Sequence, residues 1–94
     1  MIAFDFGPKF QLGRTVITAS AARQLPSEEI AVALRRHVRG DWGDVDHHDW
    51  AANEAALADG SRLLSVYQTT KGIKFYVITE HDRSITTVLL PEDY

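Results

Sequence analysis

The densest chemistry in this 94-residue chain lies between Gly40 and Trp50. Those eleven residues hold four aspartates, both tryptophans, two of the four histidines and two glycines. Asp41, Asp44, Asp46, His47, His48 and Asp49 offer oxygen and imidazole donors, which are hard or borderline metal ligands. The spacing does not match an EF-hand loop, which needs its glycine at position six. There is no His-x-x-x-His, and neighbouring residues on a helix point about 100° apart, so His47 and His48 do not share one ion. No metal and no other cofactor is expected. Recognition fits the stretch better. Trp42 sits between two glycines that let the backbone turn it outward, and tryptophan is enriched at binding hot spots; the competing reading folds it back over the helix pair to close the core. Asp41, Asp44 and Asp46 surround it in sequence, and Glu80 and Asp82 join them if the later turn lies nearby. An aromatic anchor ringed by carboxylates suits a partner with an apolar pocket and a basic rim.

Other combinations offer catalysis. Lys74, Tyr76, His81 and Arg83 lie around the C-terminal strands. Helices followed by an antiparallel sheet bearing such groups resemble RelE-like ribonuclease toxins, which use them to stabilise a phosphorane-like transition state. His81 and Arg83 also read simply as a charged turn tip, and the net charge of −3 contrasts with the basic character of those toxins. Ser65, Ser84, Thr86 and Thr87 fit outward-facing strand positions. There is no Gly-x-Ser-x-Gly and no glycine-rich loop followed by Lys-Ser/Thr. Arg23, Arg35, Arg36 and Arg39 form a basic patch. Without interleaved aromatics it reads as a solvated helix end rather than a nucleic-acid surface.

These residues are positioned by ordinary elements. Pro26-Ser27-Glu28-Glu29 starts a helix, with Ser27 as N-cap and two glutamates favoured by the dipole. Ile30, Leu34 and Val38 give it an apolar stripe; Arg35, Arg36 and Arg39 crowd its last turn, and Gly40 suits C′. A second long helix has Asp46 as N-cap, Asp49 at N3, and Val45 with Trp50 as a hydrophobic staple, which makes Trp50 a core residue. An alanine-rich run follows to Asp59-Gly60. Leu12–Ile17 reads as a short strand, with Thr18 or Ser20 capping a short helix that ends near Leu25. Residues 1–10 form an arm or edge strand in which Phe4, Phe6 and Phe10 alternate. Arg62–Thr69, Ile73–Glu80 and Ser84–Leu90 are rich in β-branched and aromatic residues and make a meander with short, antiparallel links. The expectation is one α+β domain over residues 1–94. Two main helices and one short one pack on a three- to four-stranded antiparallel sheet, with Leu12–Ile17 at an edge.

The composition limits the function. A chain this size buries roughly 60–65% of its unfolded surface, enough for one modest core. The content is 45% hydrophobic and 24% charged, which is globular rather than disordered. No apolar run approaches the roughly 18 residues of a membrane span. Met1–Phe6 lacks the basic start and long apolar run of a secretory signal. The absence of cysteine excludes disulfides, thiolate metal sites and cysteine catalysis, and fits a reducing cytoplasm.

Gly40-Asp41-Trp42-Gly43-Asp44-Val45, Gly60–Tyr67, and Phe75–Glu80 leading through Asp82-Arg83-Ser84 to Thr86–Pro91 together resemble a family of small bacterial proteins. Its members are carried on plasmids and integrative elements, and some bear a label linking them to type I restriction subunits. The resemblance implies a mobile-element setting, where small proteins block host defence, regulate, or act in toxin–antitoxin pairs. The chain departs from the family pattern at His47-His48, where acidic residues are common, which argues against a required histidine ligand. The leading expectation is a non-enzymatic, cytoplasmic protein-binding module that inhibits or modulates a host nucleic-acid-handling or defence protein. Its partner is another protein, not a nucleic acid or a membrane. A RelE-like ribonuclease and a homodimeric regulatory protein pairing through an exposed edge strand are the alternatives.

Overall fold

A computed structural model describes residues 7–94. The expected alternation at Phe4 and Phe6, and most of the N-terminal arm, lie outside the described residues. The chain runs β1 (Arg14–Ile17), α1 (Ala19–Gln24), α2 (Ser27–Val38), α3 (His47–Asp59), β2 (Leu63–Gln68), β3 (Lys74–Thr79) and β4 (Ile85–Leu89), then a 3₁₀ turn at Pro91–Asp93. The fold is α+β, three helices on a four-stranded sheet of order β1-β4-β3-β2.

β2, β3 and β4 form the expected antiparallel meander. β1 joins at the edge beside β4 but runs parallel to it, so the sheet is mixed rather than wholly antiparallel. Short links enforce antiparallel pairing, whereas β1 is separated from β4 by all three helices and two strands, which permits a parallel return.

Strand alternation gives the sheet two unlike faces. One carries Tyr67, Phe75, Val77 and Val88 against Ala21, Leu25 and Ala33 of the first two helical segments, with Ile30 and Leu34 flanking. Trp42, Ala56 and Leu63 make a second cluster with Phe10, Val45 and Leu57. The stripe of α2 is centred on Ala33 and His37, the residues it buries, rather than on Ile30, Leu34 and Val38. The other face carries Ile78, Thr87 and Leu89 and meets the 3₁₀ turn and Tyr94 instead of a helix.

Helix ends follow local chemistry. The Thr18 hydroxyl accepts from the Ala21 amide and opens α1. Pro26, not Ser27, stands at the N-cap of α2, which has no side-chain cap. Its end is a Schellman turn: the Gly40 amide donates to the His37 carbonyl and the Asp41 amide to the Arg36 carbonyl, with Gly40 at φ 82°. Asp46 caps α3 by accepting from the Asp49 amide at 2.8 Å, as its sequence predicts.

α3 also finishes the β2 edge. The Asn53 side chain accepts from the Leu64 amide at 3.0 Å and donates to the Leu64 carbonyl at 2.7 Å. One buried amide thus replaces a neighbouring strand. Asn53→Ala strands both Leu64 groups, each costing about 1–3 kcal/mol if it stays dry. A loss of roughly 2–4 kcal/mol in urea unfolding is the expected result; an unchanged midpoint would mean the Leu64 edge does not depend on Asn53.

Candidate functional site

The Gly40–Asp46 connection, expected to be a recognition loop, is instead stitched into the sheet. The Val66 amide donates to the Trp42 carbonyl at 3.0 Å, and the Asp44 amide donates to the Val66 carbonyl at 2.7 Å. Gly43 forms a parallel bridge to Val66. A Cβ at Gly43 would lie 2.0 Å from the Val66 carbonyl oxygen and 2.7 Å from the Tyr67 ring, so only glycine permits this approach. The Tyr67 hydroxyl donates to the Asp41 carbonyl at 2.5 Å.

The stitching sends Trp42 inward, where it closes the core rather than serving as the outward anchor its flanking glycines would allow. Its exposure is 0%. The indole stacks on Phe10 with centroids 6.2 Å apart, meets the edge of His37 at 5.7 Å, and donates from Nε1 to Glu54 Oε1 at 3.1 Å. Trp50, expected in the core, is 37% exposed and lines an outer hollow with Gly43, Val45, Asp46 and His47. The two tryptophans have exchanged places.

The carboxylates are individually engaged. Asp41 takes a bidentate contact from Arg36 at 2.7 and 3.2 Å, and that guanidinium holds its carboxyl below the usual range. Asp44 is exposed, and Asp46 is the helix cap. Glu80 lies 3.6 Å from Arg62. Asp82 accepts from the Ser84 amide and hydroxyl, which lowers its pKa. Asp46 opens α3, whereas the turn holding Glu80 and Asp82 docks on the opposite end of that helix. There Arg83 donates to the carbonyls of Ala56 (2.9 Å), Ser61 (2.6 Å) and Glu80 (3.2 Å). Thirteen helical residues at about 1.5 Å each separate the two groups by roughly 20 Å. The structure therefore does not gather the six expected residues into one patch.

Nor does it gather Lys74, Tyr76, His81 and Arg83. Lys74 and Tyr76 share the helix-free face, with the ammonium 5.8 Å from the ring. Arg83 lies on the helix side over Phe10 and is spent on backbone carbonyls. Asp46, His48 and Asp49 bring ligand atoms within 4.8 Å of one another, all exposed, at a helix start where Asp46 already serves as cap.

Two arrangements are absent from the sequence reading. The first is a buried polar chain. The fully buried His37 contacts the Ser65 hydroxyl through Nδ1 at 2.5 Å and the Thr79 hydroxyl through Nε2 at 2.9 Å. Thr79 contacts Thr86 at 2.7 Å, and Thr86 donates to the Leu12 carbonyl at 2.7 Å. A carbonyl only accepts, and each hydroxyl has one proton. Thr86 therefore spends its proton on Leu12, Thr79 donates to Thr86, and Nε2–H donates to Thr79; in the neutral ring that burial favours, Nδ1 accepts from Ser65. The imidazole is neutral and in one tautomer. Burial, and secondarily the charge of Arg83, pushes its pKa down to about 3. The position of His37 four residues after Ala33 is the signal that could have revealed it.

The second is a cleft of about 360 Å³ on the helix-free face, lined by Arg62, Ile78, Glu80, Thr87, Leu89, Asp93 and Tyr94. Asp93 accepts from Thr18 at 2.7 Å, from Ser20 at 2.6 Å and from the Leu90 amide at 3.0 Å, fixing the tail against the sheet. These bonds hold its pKa low. Tyr94, 71% exposed, meets Tyr76 edge-on at 6.0 Å and lies 5.9 Å from the Arg62 guanidinium. Glu80 alone among the expected site residues lines this cleft.

Comparison with protein-family models, curated proteins and solved structures gives no match.

The folded His37 binds protons less readily than the unfolded chain, whose imidazole titrates near 6.5. The unfolded state is therefore favoured as pH falls from about 6.5 toward 3, with roughly 4 kcal/mol lost across that window. A stability profile by urea unfolding should rise with pH between 4 and 6.5, and His37→Gln should flatten that rise; an equally steep profile in the variant would refute the assignment. Trp42→Ala should cost roughly 3–5 kcal/mol as a core deletion, and Trp50→Ala less than half of that. The reverse ranking in the same assay would restore the exchanged roles.

Proposed function

We propose that the chain is a non-enzymatic protein-binding module whose contact surface is the helix-free face of the sheet, not the Gly40–Trp50 connection. One observation carries this reading: the cleft there combines an apolar floor, Ile78 and Leu89, with an exposed aromatic, Tyr94, and a rim of both charges, Arg62 and Glu80. Apolar centres with polar rims characterise protein interfaces, and an exposed tyrosine beside an arginine is typical hot-spot chemistry. A volume of about 360 Å³ is at the small end of the range for ligand pockets, and it suits one large anchoring side chain from a partner. Of the residues considered for catalysis, Arg83 holds three carbonyls on the helix side, while Lys74 and Tyr76 lie on the opposite face of the sheet.

The setting belongs to the same proposal. The resemblance of Gly40–Val45 and Thr86–Pro91 to plasmid-borne proteins favours a mobile-element protein acting in the cytoplasm on a nucleic-acid-handling or defence protein of the host. No described helix is long and apolar enough to cross a membrane.

Affinity capture from a bacterial host, read by mass spectrometry, tests the surface. Thr87→Glu puts a charge at the cleft wall and Tyr94→Ala removes the exposed ring. Both variants should keep the parent's thermal midpoint and lose the captured partner. Undiminished recovery by both would move the surface elsewhere. Growth arrest on expression of the chain alone would favour a toxin over a binding module.

A further inference from the structure

The two edges of the sheet are finished differently. At the β2 edge, Val66 is bonded on both sides to the 42–44 segment, and Leu64 is bonded twice by Asn53. The β1 edge has no comparable cover among the described residues. The Arg14 amide donates to the Ser84 carbonyl at 2.8 Å and the Thr18 amide to the Val88 carbonyl at 3.1 Å, so Arg14, Val16 and Thr18 point into the sheet. By the period of two, Thr15 and Ile17 direct their N–H and C=O groups outward. Both residues are exposed, Ile17 at 39%. The strand carries neither proline nor lysine, two devices that commonly blunt a free edge.

We propose that this edge pairs with the same edge of a second copy of the chain, β1 against β1, antiparallel, with Val16 facing Val16 on the two-fold axis. This surface is separate from the cleft and its test does not depend on the cleft. The edge itself selects the occupant. The outward groups lie one residue on either side of Val16. A dyad at Val16 therefore sets each Thr15 opposite Ile17 of the other copy and uses all four outward groups in four hydrogen bonds. A dyad at Thr15 or Ile17 leaves part of that set unmatched. The same register puts each Arg14 opposite Thr18 of the other copy, so the two guanidinium groups lie at opposite ends and like charges do not face one another. Every central cross-strand pair is β-branched: Thr15 with Ile17 on one face, Val16 with Val16 on the other. The exposed Ile17 gains a packing neighbour. Four residues bury much less than the roughly 800 Å² per partner of a standard interface, so the dimer is weak and in rapid exchange.

Sedimentation velocity and amide NMR of the unmodified chain, from about 20 μM to about 1 mM, test this in the concentration range where a weak complex forms. The expected result is a mass rising toward twice the monomer's, with concentration-dependent shifts confined to Arg14–Thr18. Ile17→Lys should abolish the rise while keeping the parent's thermal midpoint. Mixing that variant with Thr15→Glu, whose carboxylate falls opposite the introduced ammonium, should restore it. A monomer throughout the range would overturn the proposal, as would shifts that map to another surface. Slow exchange of the Thr15 and Ile17 amides in the dilute monomer would also overturn it, because the edge would then be covered by the chain itself. Since shift mapping uses the unmodified chain, the proposal stays testable even if a variant fails to fold.

Discussion

A buried imidazole must satisfy two ring nitrogens at once, and in this chain the partners come from different strands. His37 arrives on α2, Ser65 on β2, Thr79 on β3 and Thr86 on β4, and the last proton ends on the Leu12 carbonyl just before β1. Breaking any contact leaves a polar group dry in the core, which costs more than the bond itself contributes. The chain therefore fixes the strand register, the depth of α2 and the path into β1 together. Phe10 and Trp42 close over the imidazole edge-on at 5.2 and 5.7 Å, excluding the water that would otherwise relieve a displaced strand. Polar satisfaction, more than apolar area, gives this small core its specificity.

Elements whose cause is local were legible in sequence. Asp46 capping α3, Gly40 closing α2, Gly60 at φ 80° closing α3 and the three-strand meander each follow from a few adjacent residues. What could not be read depends on distant partners. The direction of β1 is set by the route of the intervening helices. The fate of Trp42 is set by Val66, whose free edge groups draw the connection into the sheet and turn the indole inward. The flanking glycines permit an outward turn, but Gly43 serves close approach to Val66 and Tyr67. His37 is not legible in sequence because its neighbours, Arg35, Arg36 and Arg39, suggest a solvated turn, while the partners that justify burying it lie at least 28 residues away.

The candidate site was correspondingly less legible than the fold. The acidic residues of Gly40–Trp50 are chemically conspicuous, yet capping, pairing with Arg36 and edge-sealing account for Asp41 and Asp46 without a ligand. The cleft draws on Arg62, Ile78, Thr87 and Tyr94, residues unremarkable in sequence and adjacent only after the tail folds back under the hold of Asp93. A conspicuous motif can report folding constraints, while a binding surface can be assembled from scattered ordinary residues.

The asymmetry of the sheet bears on how such a small protein handles its exposed surfaces. Among the described residues its helices cover one face, leaving the second to a tail of four residues, and its connections seal one edge, leaving β1 uncovered. A strand edge is sealed at a cost: Gly43 in a left-handed conformation, a buried Asn53, and an inward tryptophan that needs Glu54 as acceptor. The open face and the open edge meet at β1, where Arg14 lies beside the exposed Ile85 of β4. Pairing at the edge would extend the helix-free face across a second copy without covering it. The two surfaces are therefore compatible, and joining two copies would set two clefts on one continuous sheet, the arrangement in which a partner offering paired contacts gains from effective concentration.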